Sequence, residues 1–374
     1  MSFKILGSKF NFGVNIDDMW RYAGLPDPPS TVIPFLLTKK TYNGRFSLPS
    51  GDSKTATRYK HSDFTNSLIL GQNKHDTKKL ATELTQFLKA SGIDYVRCWF
   101  PWNFFEPIVG DEYRFPLDIF VNEMGEAGIG IIGVIGDGYD RFLPKNLHIG
   151  NINEYNEKLV KSSTAIVGHY KDKVKAWQIE NEPDWWKGHM LAGWRSRWIW
   201  LRERNQEPML KVLSNVVREE CPNSTTIINL ASSGPNVKWN MYAKYCDIIG
   251  IDPYPSYIKP SMTDVFKIAK VSHEANKATG LPIYIIETGY PTGPHFFGFN
   301  EAHQVAYVAS ACKYATSNDE IKGLGMYRFS DSYWKSFPTQ ENYFGLLTIQ
   351  GDPKPAWHEY VYQINKMKDK ASLS

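Results

Sequence analysis

Two acids stand out by where they fall. Glu182 lies in "WQIENEPDWW" (177–186) and Glu287 in "IIETGYPTG" (285–293), each closing a short apolar run and each followed within four residues by a proline. An acid that ends a buried strand is held rigidly by that strand and faces whatever binds beyond it. Taken singly, either glutamate could cap a helix or pair with an arginine, because placement on a fold does not itself imply chemistry. Together they match a specific requirement. Cleaving a glycosidic bond takes one carboxylic acid to protonate the leaving oxygen and one carboxylate to meet the cationic anomeric carbon from the opposite face. In the retaining form the two groups stand about 5–5.5 Å apart, too close for an intervening water, so the second acts as nucleophile. Aromatic residues make up 14% of the chain, with 12 Trp, and many neighbour the loop acids. Flat rings of this kind suit the C–H faces of a sugar. Trp102 and Trp185 are the candidates of that type beside the strand ends, and an oligosaccharide or polysaccharide is the expected partner.

The elements that would position these residues emerge from the hydrophobic pattern. Strands are expected at 10–15, 95–100, 129–136, 174–181, 226–231, 248–254, 282–288 and 323–330. Between them Leu80, Leu84, Phe87 and Leu88 recur at helical spacing, as do Leu117, Phe120, Val121 and Met124, then Val265, Ile268 and Ala269. Continuous apolar strands alternating with helices describe an α/β fold with a parallel sheet covered by helices. An open doubly wound sheet would use only the strand ends near its switch point. Here polar or aromatic residues close several runs: Arg97, Asp137, Glu182, Tyr254, Glu287 and Trp334. That distribution favours a closed (β/α)8 TIM barrel, whose βα loops converge on one site. No linker divides the chain, so residues 1–374 are expected to form one catalytic barrel. Residues 16–75 form a long insertion after the first strand, expected to serve as a lid or site wall.

At this point the motifs resemble a known group. "WQIENEP" and "IIETGYP" are similar to the fourth- and seventh-strand signatures of the large clan of retaining (β/α)8 glycoside hydrolases, over a stretch from Arg97 to Ala356. The resemblance implies that Glu182 is the general acid/base, Glu287 the nucleophile and Asn181 a ligand of the sugar 2-hydroxyl. It further implies that Arg97 and Tyr254 hold the nucleophile ionised, and that Trp334 is the floor under the reacting sugar. An arginine and a phenol favour a charged carboxylate, whereas a drier aromatic setting would keep a proton on Glu182. Where several families of the clan present a histidine after the third strand, this chain reads "GDGYDRF", which puts Asp137, and with it Asp140, in that place. "YFGLLTIQGDPKPAWHEY" resembles the clan's closing segment, with a Lys-Pro pair leading into the last helix. A transglycosylase using the same residues is one alternative, and a carbohydrate-binding barrel without catalysis another.

Other chemistries are disfavoured. The formal charge of +4 comes from dispersed basic residues, which removes the argument for a nucleic-acid partner. No apolar run is long enough for a membrane span or leader, so a cytoplasmic protein is expected unless a leader has been removed. "GIGIIG" (128–133) has the letters of a dinucleotide fingerprint but follows a helix and enters a strand, the reverse of the order a pyrophosphate needs. The histidines lack zinc-helix spacing, and Cys98, Cys221, Cys246 and Cys312 lack CxxC spacing. Neither metal nor cofactor is expected, and the thiols are expected to be reduced. His189 and His295 fall in loops expected to border the site.

Overall fold

Eight short apolar runs become eight strands because each is flanked by glycine, proline or polar residues and carries β-branched or aromatic side chains. The computed structural model describes residues 10–17, 19–25, 77–136, 142–185, 198–231, 237–255, 261–295, 298–331 and 340–372. In it β1 (Asn11–Ile16), β2 (Tyr95–Trp99), β3 (Gly130–Val134), β4 (Ala176–Asn181), β5 (Thr225–Leu230), β6 (Ile248–Ile251), β7 (Ile283–Thr288) and β8 (Ile321–Met326) close into one barrel in chain order. All neighbours pair in parallel, and β1 meets β8 through Asn11 opposite Gly323 and Val14 opposite Met326.

The outer helices follow their strands: α1 (Thr77–Ala90), α2 (Asp118–Glu126), α3 (Ile152–Tyr170), α4 (Glu203–Glu220), a single turn α5 (Trp239–Tyr242), α6 (Phe266–Thr279), α7 (Glu301–Thr316) and α8 (Pro355–Ser372). Helical spacing of the apolar residues turns one stripe inward: α1 buries Leu80, Leu84 and Leu88, and α2 buries Phe120, Val121 and Met124. The barrel interior is a separate cluster of Tyr95, Ile132, Ala176, Ile227, Ile248, Tyr284 and Ile286. Its two tyrosines fit because Gly13 and Gly323 face them, where any Cβ would overlap the Tyr95 and Tyr284 rings. Closure is reinforced from outside by Tyr360 of α8, whose hydroxyl sits 2.8 Å from the Gly13 carbonyl and 3.0 Å from that of Leu324, across the β1/β8 seam.

The expected TIM barrel is therefore the observed fold, with shifts at two ends. The sixth strand stops at Ile251 instead of 254, since Pro253 has no N–H to give the ladder. The eighth runs 321–326 instead of 323–330; beyond it Arg328 and Phe329 pair with Phe344, Leu346 and Leu347, while the Phe329 N–H still donates to the Asn15 carbonyl of β1 at 2.9 Å. Of the long segment after β1, Met19–Tyr22 is a helical turn, while 26–76 lie outside the described residues. All four cysteines are buried free thiols. Among the described residues no helix is long and apolar enough to cross a membrane.

Candidate active site

The C-terminal ends of β2, β4, β5, β6 and β7 bring polar side chains from five strands into one buried network. Arg97, only 1% exposed, is its centre. Its guanidinium donates from Nε to Gln178 Oε1 at 2.6 Å, from Nη1 to Glu287 Oε1 at 2.6 Å and from Nη2 to Asn181 Oδ1 at 2.7 Å. The rigid fork of an arginine can serve three acceptors at fixed angles, which a lysine cannot. The second carboxylate oxygen of Glu287, Oε2, accepts from the Tyr254 hydroxyl at 2.8 Å. Asn181 Oδ1 also accepts from Gln178 Nε2 at 3.1 Å and Asn229 Nδ2 at 2.9 Å, and Asn229 Nδ2 reaches Asp252 Oδ2 at 2.7 Å.

Glu182 is the first residue beyond β4 and takes a left-handed backbone, φ 46°. For a residue with a Cβ this costs on the order of 1–3 kcal/mol, and it persists where the surroundings over-determine it. Here its N–H donates to the Asn229 carbonyl at 2.8 Å, and its own carbonyl accepts from Trp185 N at 3.0 Å. Asp184, two residues on, accepts from Ala231 N at 2.8 Å, pinning the β4 loop to the end of β5.

The two glutamates sit in different fields. Desolvation pushes the Glu182 carboxyl well above its ordinary range, and the charges of Glu287, Asp184 and Glu341 push the same way, opposed by a hydrogen bond with Asp252. Burial also raises Glu287, but there Arg97 and the Tyr254 hydroxyl pull back, while Asp17 and Glu341 oppose them. The sequence expectation of a guanidinium and a phenol favouring an ionised Glu287 captures those two contacts and omits the burial. The ordering is preserved: Glu287 loses its proton before Glu182.

Of the other nominated residues, Trp185 is 37% exposed at the edge of this region. Trp102 has its contacts elsewhere: it is 4% exposed, and its indole N–H donates to the buried Glu106 carboxylate at 2.7 Å. His295 is exposed, with Nδ1 3.1 Å from the Phe299 carbonyl. Asp137, Asp140, Trp334 and His189 lie outside the described residues.

Several residues of this region have no role assigned from the sequence. Gln178 and Asn229 are mid-strand or strand-end amides, Gln178 bonded to Arg97 on β2 and to Glu180 and Asn181 on its own strand, Asn229 to partners on β4 and after β6. Asp252 stands two residues before Tyr254 in "IDPYPS", and its position just past an apolar run was the available signal. Tyr327, immediately after β8, packs edge-on against Tyr254 at 5.8 Å and donates its hydroxyl to Glu341 Oε2 at 3.1 Å. Lys354, the lysine of "KPAW", is buried and donates to Asp331 Oδ1 at 2.8 Å and Thr292 Oγ1 at 3.1 Å, clamping the loops after β7 and β8.

No family model matches the sequence, and no curated protein matches it. Solved structures do match. A family 39 glycoside hydrolase from the gut symbiont Bacteroides cellulosilyticus WH2 superposes with a TM-score of 0.57 at 18% identity, over 77% of this chain and 61% of that one. GH5_18 from Streptomyces cattleya in complex with GlcNAc gives 0.65 at 13% identity, over 82% of this chain and 78% of that one. Xylanase 10B from Thermotoga petrophila RKU-1 in complex with xylobiose gives 0.61 at 17%, over 96% of this chain and 95% of that one. The chain has the fold of the barrel glycoside hydrolases. It spans about three fifths of the family 39 enzyme's length.

Proposed function

We propose that this protein is a retaining glycoside hydrolase acting on β-linked oligo- or polysaccharides. The observation that carries the reading is the contrast at the barrel mouth. Glu287 has one oxygen on Arg97 at 2.6 Å and the other on Tyr254 at 2.8 Å, while desolvation, and after it the acidic neighbours, favour the protonated form of Glu182. A carboxylate and a carboxylic acid are the two reagents that glycosidic cleavage needs.

In the first half-reaction a Glu287 oxygen attacks the anomeric carbon as the glycosidic C–O bond breaks, and Glu182 gives its proton to the leaving oxygen. Forming the ester neutralises Glu287, which removes one of the charges raising the Glu182 carboxyl and suits that group to act next as a base. In the second half a water loses its proton to Glu182 and attacks the anomeric carbon, expelling Glu287 as carboxylate. Two inversions give net retention. Asn181, held by Arg97, Gln178 and Asn229, is positioned to meet the 2-hydroxyl, where tightening hydrogen bonds contribute several kcal/mol. Trp185 supplies an exposed ring for a further sugar.

The test is a panel of aryl β-glycosides and polysaccharides, with product configuration followed by proton NMR. The expected product first appears as the β-anomer, with Glu287→Gln and Glu182→Gln each reducing kcat/KM on unactivated substrates at least about 10²-fold. Initial formation of the α-anomer, or full activity in Glu287→Gln, overturns the assignment. Elongated products at high substrate concentration would instead identify a transglycosylase.

A further inference from the structure

Of the three acceptors gathered by Arg97, Gln178 is the one to which the mechanism above gives no chemistry of its own. It lies in the middle of β4 and is fully buried. An unbroken strand would put Gln178 and Glu180 on one face. In β4, however, Gln178 lies opposite Ile227 and Glu180 opposite Ile228, so Ile179 is an extra residue, and this bulge brings Gln178 and Asn181 to the same guanidinium. Arginine only donates, so each amide must turn its oxygen toward it. Gln178 Oε1 is therefore held by Arg97 Nε at 2.6 Å, which leaves Nε2 to donate to the Glu180 carbonyl and to Asn181 Oδ1, both at 3.1 Å. Asn181 Oδ1 in turn collects three donors, from Arg97, Gln178 and Asn229. Its Nδ2 has no acceptor among the described residues and is not closed off from solvent.

A buried amide is tolerated when its hydrogen bonds are made, and Gln178 makes them with its carbonyl and both its amino hydrogens. Its lack of charge matters as much. One guanidinium carries one positive charge, and Glu287 is the only carboxylate that Arg97 bonds among the described residues; the other two acceptors are amide oxygens. A carboxylate at position 178 would divide the attraction of Arg97 between two anions and set each against the other. We propose that Gln178 is a positioning residue: its carbonyl orients Arg97 without drawing that attraction away from Glu287, and its amino group keeps the Asn181 amino group turned toward the substrate. The second role rests on the glycosidase reading, in which Asn181 meets the sugar 2-hydroxyl. The first role does not.

Two variants separate these roles. Gln178→Glu keeps the shape and an oxygen for Arg97 but adds a charge, whereas Gln178→Met keeps the volume and adds none. In the full chain labelled with ¹³C at Glu carboxyls, the Glu287 resonance is assigned by its loss in Glu287→Gln. It should titrate about one unit or more higher in Gln178→Glu than in the parent, because a second anion beside Arg97 disfavours an ionised Glu287. In Gln178→Met it should stay near the parent value. Glu287 also lies in the field of Asp17 after β1, Glu182 after β4, Asp252 after β6 and Glu341 after β8. Both variants leave those groups in place, so the difference between the variants reports on position 178. No displacement in Gln178→Glu, or an equal one in Gln178→Met, overturns the first role. The second is read by kcat/KM on the best 4-nitrophenyl β-glycoside of the panel and on its 2-deoxy counterpart. Gln178→Met should lose about fivefold more on the hydroxylated substrate than on the 2-deoxy one, the worth of one hydrogen bond. Equal losses on both, or lowered thermal stability with neither rate changed, would make Gln178 a structural residue and overturn that role. A displaced Glu287 titration in a chain that cleaves no glycoside would refute the function and leave the hold on Arg97 standing.

Discussion

Removing the Arg97 guanidinium is the sharpest test of how this site is held together. Arg97→Met keeps the stem and volume but deletes donors to Gln178, Glu287 and Asn181 at 2.6, 2.6 and 2.7 Å, all at buried positions. Breaking a buried ion pair from one side typically costs about 3–5 kcal/mol, chiefly because the remaining charge is stranded. The stranded charge here is Glu287, so most of that cost should vanish when Glu287 is made neutral. In a double-mutant cycle read by urea unfolding, Arg97→Met should lower stability by about 3–5 kcal/mol, and adding Glu287→Gln should recover about 2 kcal/mol or more of it. The single variant should also show the acidic limb of kcat/KM moved to higher pH, since Glu287 loses its cation and takes up a proton more readily. A coupling energy below about 0.5 kcal/mol, within the scatter expected of independent sites, would refute the claim that the pair forms one unit.

Other consequences follow from single contacts. Tyr254→Phe deletes the 2.8 Å bond to Glu287 Oε2; a hydrogen bond to a charged group contributes about 1.5–3 kcal/mol, so kcat/KM should fall about 10- to 100-fold and the urea midpoint should fall as well. Burial pushes the Asp331 carboxyl up to about 6 despite Lys354. The folded state therefore holds a proton that the unfolded chain has released. Stability from this group is present below about pH 4 and is lost as pH rises through about 6, and Glu182, Asp252 and Glu287 act in the same direction. Urea midpoints should thus decline between about pH 4 and 7, and Lys354→Met, which strands Asp331, should steepen the decline; a flat profile in both proteins would contradict the burial argument.

The sequence by itself determined the architecture. Apolar runs of strand length, alternating with residues at helical spacing, specify eight βα units, and a residue that ends such a run lies at the barrel mouth wherever the neighbouring strands fall. That is why Arg97, Asn181, Glu182, Tyr254 and Glu287 were identifiable as strand-end residues from short motifs. Trp102 shows the limit of composition, since a ring next to a strand end can equally turn inward, and here it does, with its N–H on Glu106. What only the tertiary structure decided is which side chains meet. Gln178, Asn229 and Asp252 join the centre through partners on β2, β4 and β5, and such contacts depend on register and barrel closure, quantities that no local pattern encodes. The left-handed backbone at Glu182 is likewise imposed from outside, by the Asn229 carbonyl of the neighbouring strand, because nothing in a glutamate's own preferences would choose it.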